Sequence, residues 1–136
     1  MRSFVILLGR IGLALIFILS GVGKLRGYDA TVAMMVAHNL PAGLLPVVIF
    51  AELGGGLAIL FGFLTRVAAV GLFVFTLLAA AFFHDNFADP LQLLNFEKNI
   101  AIAGGFLVLA ACGPGRVAVD ALWHRRRRRG RERLSF

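Results

Sequence analysis

Cysteine is almost absent from this sequence: Cys112 is the only one in 136 residues. A lone thiol makes no internal disulfide, which excludes a stapled secreted scaffold. It also excludes thiol–disulfide chemistry within one chain, since that needs a pair. Charge is scarce too, at 15% of residues against 60% hydrophobic, with mean hydropathy +0.88. Such a composition excludes disorder and an ordinary soluble domain, whose apolar share is lower. Acidic residues are the rarest charge, seven against 14 Lys and Arg, for a net charge of +7. Half of those basic residues lie between Arg125 and Arg133, so the rest of the chain is close to neutral. The three histidines are scattered, with no His pair at i, i+4 and no Cys–His cluster at metal-ligand spacing. No metal site is expected. No glycine-rich phosphate loop precedes a lysine, and no repeat at a fixed period is evident.

What the chain has instead is long apolar runs. Ala42–Leu64 is bounded by Pro41 and by Thr65-Arg66. A run of ~20 apolar residues reads as a helix that crosses a bilayer. Glu52 lies near its middle, where a carboxyl costs on the order of 3 kcal/mol on insertion scales, so a partner inside the protein is expected. Gly54, Ala58 and Gly62 recur every fourth residue and predict a close approach by another helix. Further runs place spans at about 4–23, 67–83 and 98–112. The first is interrupted by Arg10, and Leu19-Ser20-Gly21-Val22-Gly23 is a poor cleavage site, so it reads as an uncleaved span and not a signal peptide. The expected fold is all-α: one four-helix transmembrane bundle over residues 1–123, with short periplasmic interfacial helices, then a basic cytoplasmic tail over 124–136.

Between the spans, Leu25–Pro41 reads as a short surface helix. Asp29 is its cap, and Val32, Met35, Val36 and Leu40 are its apolar stripe. His38 is then interfacial. Thr65-Arg66 is expected as the turn between the second and third spans. Asp89-Pro90 is a helix-start signature, and Leu91, Leu93, Leu94 and Phe96 suit a short helix against the bundle. The last span is short from Ile100. Either residues before Lys98 extend it, or its polar start faces a wet, protein-lined cavity. With both ends inside, the cytoplasmic side carries ten Lys and Arg and the outer side three, so the positive-inside rule places both termini in the cytoplasm. Without the tail the count is three to three.

Five residues of the first span, Arg10, Ala14, Phe17, Gly21 and Lys24, fall on one helical face, with a cation at each end about 21 Å apart. That face is expected to look into the protein, although both cations can also snorkel to the interfaces. Arg10 and Glu52 lie at similar depths on antiparallel neighbours and are the preferred pair, because a guanidinium grips a carboxylate with two hydrogen bonds, with Lys98 the next candidate partner for Glu52. The expected intramembrane polar cluster is Arg10, Glu52, Lys98 and Asn99, with Lys24 and His84 at the outer mouth. The alternative is a pair that only fixes helix register. Arg125, Arg126, Arg127, Arg128 and Arg129 follow a membrane span, so anionic lipid headgroups are the expected partner, at about 1 kcal/mol per basic residue. Nucleic acid is not expected.

In order along the chain stand Arg10 with Ile11-Gly12-Leu13, Ser20-Gly21 with Lys24, Pro41, Glu52-Leu53-Gly54-Gly55 and Gly62-Phe63-Leu64-Thr65-Arg66. His84, Phe96-Glu97-Lys98-Asn99, Gly104-Gly105 and Gly113-Pro114-Gly115-Arg116 with Asp120 follow. In this ordered set the chain resembles the DoxX family of small four-span bacterial membrane proteins, over about Arg10 to Asp120. The resemblance implies an inner-membrane protein: at most a quinone-facing or non-catalytic subunit of an oxidoreductase complex. Its redox group would be a quinone or would belong to a partner chain. The four-span bundle also resembles the quinone-reducing thiol oxidoreductases, but their cysteine pairs are missing here. Two other functions compete: a small transporter or proton-coupled carrier using Arg10, Glu52 and Lys98, and a membrane scaffold or chaperone. A bound quinone or lipid tail beside Glu52 favours the first function, a wet cavity closed at one end the carrier, and a solid, dry bundle the scaffold.

Overall fold

A computed structural model describes residues 1–123. Helix α1 runs Arg2–Arg26, α2 Tyr28–Ala37, α3 Leu45–Phe61, α4 Thr65–Phe83 and α5 Pro90–Cys112, with a 3₁₀ turn at Ala42–Leu44 leading into α3. Among the described residues, α1, α4, α5 and the stretch Ala42–Phe61 are long and apolar enough to cross a membrane. The chain is an all-helical membrane bundle, as its apolar runs predict. The surface is apolar because its solvent is lipid: Phe50, Val67 and Val108 are more than 60% exposed, which only hydrocarbon tolerates over so wide an area.

The helices pack as two close pairs, α1 with α3 and α4 with α5. Buried positions on α1 are Arg10, Ala14, Phe17 and Gly21, the face expected from spacing. On α3 they are Leu45, Ile49, Glu52, Gly56 and Ile59, a stripe of alternating four- and three-residue steps. The expected glycine contact lies elsewhere. Gly54 faces only the Phe50 ring of its own helix, whereas a Cβ on Gly56 would lie 2.9 Å from Ile18 Cγ1 and 3.3 Å from Ala14 O. Gly56, not Gly54, lets the α1 and α3 backbones touch, because Gly56 shares a face with Glu52 and Ile59.

Several element bounds differ from expectation. The turn after α3 is 62–64, not Thr65-Arg66: Gly62 ends α3 in a left-handed conformation (φ +69°), and Thr65 already opens α4. Residues before Lys98 do extend the last span. The short helix expected after Pro90 and the span from Ile100 form one continuous α5. Asp89 caps it, accepting from Leu91 N at 2.9 Å. Asp29 caps nothing with its side chain; Gly27 is the N-cap of α2. Met35 of α2 is buried against Leu45 and Ile49, with Val32 and Leu40 beside it, while Val36 points away at 56% exposure.

The core fills one half of the bundle. Ala14, Phe17, Ile59, Ala69, Leu72, Phe106 and Leu109 form a continuous buried cluster. Phe17 meets Phe106 and Phe75 edge-on, with centroids 5.3 and 6.2 Å apart, a favoured quadrupole arrangement. The start of α1 lies beside the segment after α5, since Gly115 packs on Ile6 and Ser3. Both ends of the described chain therefore share one end of the bundle, the tail end. The helix α2 covers the opposite, far end.

Candidate functional site

In an α-helix every Cα–Cβ bond tilts toward the N-terminus. Helices α1 and α3 are antiparallel neighbours, so side chains on α1 lean toward the tail end and those on α3 toward the far end. Arg10 therefore leans away from Glu52. Lys24, at the far end of α1, leans back along the helix toward Glu52, which leans up to meet it. The structure bears this out: Lys24 Nζ donates to Glu52 Oε1 at 2.9 Å. Ser20, one turn below Lys24, accepts from Lys24 Nζ at 2.7 Å and donates to the same Oε1 at 3.1 Å.

The expected Arg10–Glu52 pair is thus replaced by Lys24–Glu52. Arg10 is 1% exposed and grips four backbone carbonyls instead. Nε donates to Ile59 O at 2.8 Å and Nη2 to Leu60 O at 2.6 Å. Nη1 donates to Pro114 O at 2.9 Å and Val117 O at 2.7 Å. The last carbonyls of a helix have no intrahelical donor, and a cation there also meets the negative end of the helix dipole. Arg10 therefore ties the end of α3 to the segment after α5. Ile59 lies seven residues beyond Glu52, which puts the two cation sites about 11 Å apart along α3.

Asp120 completes the tail end. Its Oδ1 accepts from Leu64 N at 2.8 Å, and its Oδ2 accepts from Thr65 N and Thr65 Oγ1, both at 2.9 Å. It is an N-cap for α4 supplied from 55 residues away, so the sequence beside α4 contains no sign of it.

Beside the Lys24–Glu52 pair lies a cavity of about 560 Å³. It fills the far half of the bundle, between the α1–α3 and α4–α5 pairs and under α2. Its walls are largely apolar and aromatic, with Phe17, Phe75, Phe82 and Phe83 among them. Leu44, Val47, Leu78 and Phe82 line it and also carry 44–62% exposure. The cavity is therefore a cleft on the lipid-facing side, between the start of α3 and the end of α4. Its volume falls within the ~300–1,000 Å³ of small-molecule sites, which pair apolar walls with a few placed polar groups.

The polar groups here are the sequence-predicted ones, redistributed. Glu52, Lys24, Lys98, Asn99 and His84 all line the cavity, whereas Arg10 belongs to the tail end. Lys98 is exposed and donates to Asn95 Oδ1 at 2.9 Å, so it stands at the mouth and not at Glu52. His84 Nδ1 pairs with Gln92 Oε1 at 2.7 Å. Sequence reasoning passed over Ser20 and Gln92 as cavity groups and set His38 at the interface; Ser20 falls four residues before Lys24, which is the one available signal. His38 lines the cavity and stacks on Phe83, with ring centroids 5.1 Å apart. Glu52 is 4% exposed, and its Oε2 receives no hydrogen bond among the described residues. A buried unmet acceptor costs about 1–3 kcal/mol, more when charged. Among the described residues no cluster of three or more metal-type ligands occurs. The arginines Arg125–Arg129 lie outside the described residues.

The DoxX family profile matches residues 5–85. Over 121 residues the chain is 49% identical to the inner membrane protein YqjF of Escherichia coli, covering 89% of this chain and 93% of that one. It is 37% identical to the E. coli inner membrane protein YphA over 127 residues, 88% of this chain and 90% of that one. A third relative, of Bacillus subtilis, is named "Putative oxidoreductase CatD" and is 36% identical over 118 residues, 79% of this chain and 87% of that one. No solved structure matches.

Proposed function

This chain belongs to the DoxX family of inner-membrane proteins, and we propose that it is a membrane subunit of an oxidoreductase system whose far-end cleft holds a lipophilic quinone-type molecule. The cleft carries this reading: a 560 Å³ apolar and aromatic volume, reached from the lipid side, ending on the Lys24–Glu52 ion pair. A flat aromatic head group suits walls of Phe17, Phe75 and Phe83, and an isoprenoid-like tail suits the opening beside Val47 and Leu78. The donor set fits as well. Lys24 has three N–H donors and uses two among the described residues, and the Asn99 amide and the Lys98 ammonium stand nearer the mouth. Bound there, a quinone supplies a bilayer-soluble carrier of electron pairs. The chain's own residues bind it, orient its ring and shield it from water. The name of the B. subtilis relative adds support for a redox setting.

Two features weigh against the rival functions. A scaffold needs no cleft of this size. A carrier is expected to show a wet cavity closed at one end, and the walls of this cleft are largely apolar and open toward lipid. Electrons would enter from a partner chain, since the one cysteine lies exposed at the end of α5.

The test is saturable binding of a short-chain alkyl quinone to the protein in lipid nanodiscs. Ala79 lines the cleft and is half-buried, so Ala79→Phe places a ring in the ligand's volume. The expected result is one saturable site in the wild type, weakened at least tenfold in Ala79→Phe with little change in melting temperature. Purely linear partitioning, equal in both proteins, would overturn the reading. Native mass spectrometry from gentle detergent identifies the partner chain.

A further inference from the structure

The outer face of the Lys24–Glu52 pair is chemically two-sided, and this specifies the ligand further; the argument rests on the quinone-type reading above. Lys24 Nζ donates to Ser20 Oγ and Glu52 Oε1, which leaves its third N–H without a partner among the described residues. Glu52 gathers both of its hydrogen bonds, from Ser20 and Lys24, on Oε1. Oε2 has none, although the residue is 96% buried and lines the cleft. The terminal carboxylate torsion is soft, so a small rotation presents Oε2 to a bound molecule.

We propose that this pair selects the hydroxyl-bearing, reduced form of the ligand: a hydroquinone or other lipophilic phenol, whose O–H accepts from Lys24 and donates to Glu52 Oε2. A quinone carbonyl has only lone pairs. It can answer Lys24, but it sets a second acceptor against Oε2 and leaves that buried oxygen unmet. A hydroxyl meets both groups with one atom. Electrostatics excludes the other class of donor. Lys24 and Lys98 line the cleft against the single carboxylate of Glu52, so the lining carries a net positive charge that repels an amine or other cation and admits a neutral phenol.

The geometry also says what an amide at position 52 would do. Ser20 and Lys24 both offer hydrogens at the Oε1 position, so Glu52→Gln settles with its oxygen there and its NH₂ where Oε2 stood. The group that this rotation presents to the ligand changes from an acceptor to a donor. The preference for the reduced form must then reverse.

The experiment compares three probes of one skeleton under anaerobic conditions: a short-chain alkyl hydroquinone, its dimethyl ether and the corresponding quinone. Each is titrated into wild-type protein in nanodiscs, and into Glu52→Gln at a temperature where that variant is folded. The wild type is expected to bind the hydroquinone at least tenfold more tightly than either the ether or the quinone. Glu52→Gln is expected to bind the quinone and the ether more tightly than the hydroquinone. The wild-type comparison needs no variant, so the proposal stays testable if Glu52→Gln fails to fold. Equal affinities for hydroquinone and quinone, or tighter quinone binding by the wild type, overturn this inference and leave the quinone-type site standing. Absence of saturable binding by all three probes overturns both.

Discussion

Lys24 and Glu52 start on antiparallel helices and lean toward each other, so that Nζ and Oε1 stand 2.9 Å apart inside the far half of the bundle. Both halves of that geometry follow from the backward tilt of Cβ along a helix. The same tilt turns Arg10 toward the tail end, where it holds carbonyls of α3 and of the segment after α5. Two cations on one face of α1 thus serve two separate places, one facing the cleft and one closing the bundle.

A double-mutant cycle separates them. Lys24→Leu leaves a buried carboxylate without its counter-charge, a loss on the order of 3 kcal/mol, reduced by the 23% exposure of the Lys24 side chain. Lys24→Leu with Glu52→Leu should cost less than the sum of the two single changes by about 1–3 kcal/mol. Arg10→Leu with Glu52→Leu should be additive to within ~0.5 kcal/mol, since the two share no hydrogen-bond partner. Thermal or denaturant unfolding in detergent measures all five variants. Coupling between Arg10 and Glu52 as strong as that between Lys24 and Glu52 would contradict the assignment.

The glycines of α3 make a second contrast. Gly62 has φ +69°, and a Cβ there would sit 2.6 Å from Arg10 Nη2 and 2.5 Å from Ala118 Cβ. Gly62→Ala should cost at least the ~1 kcal/mol of a left-handed alanine, plus whatever the displaced Arg10 loses. Gly54→Ala meets nothing closer than 3.9 Å and should be neutral or stabilising by up to about 1 kcal/mol through helix propensity. Equal losses at both positions would argue against the Arg10 clamp.

The lysine and arginine count, ten against three, predicts that both termini lie in the cytoplasm. The structure puts both ends of the described chain on one side of the bundle. A reporter active only outside the cytoplasm should be silent when fused after Phe136 and active when placed between His84 and Asp89. Deleting Arg125–Arg133 should mix the two orientations, because the remaining count is three to three. A fully reversed reporter pattern would overturn the placement of the termini, and with it the naming of the cleft's side as outer.

The tail itself is expected to bind anionic lipid. Its seven arginines are separated only by Gly130 and Glu132, with Leu134 and Phe136 the only apolar residues after them, so charge dominates the segment. A peptide of residues 124–136 should bind vesicles containing phosphatidylglycerol, and the binding should fall steeply between low and physiological salt. Equal binding to neutral vesicles, or binding that survives 1 M salt, would point to another partner.

Much of this protein is written in its sequence, for a physical reason. A bilayer forces each backbone polar group to be satisfied within its own helix, so twenty apolar residues determine a span with little help from anything distant. The four spans, the buried face of α1 and the Asp89-Pro90 helix start are all legible from local pattern. So is the cost of Glu52, which required a partner wherever it lay. The identity of that partner was not legible. Depth along the helix favours Arg10, and only the direction in which side chains lean on packed antiparallel helices brings Lys24 to the carboxylate instead. The cleft is also tertiary, because it is the space left where the α1–α3 and α4–α5 pairs part company under α2, a property of no single segment. The cap that Asp120 places on α4 crosses 55 residues of chain, and the four carbonyls that hold Arg10 come from two separate segments. Backbone carbonyls have no sequence signature, so a cation that chooses them over a carboxylate can be recognised only after the chain has folded.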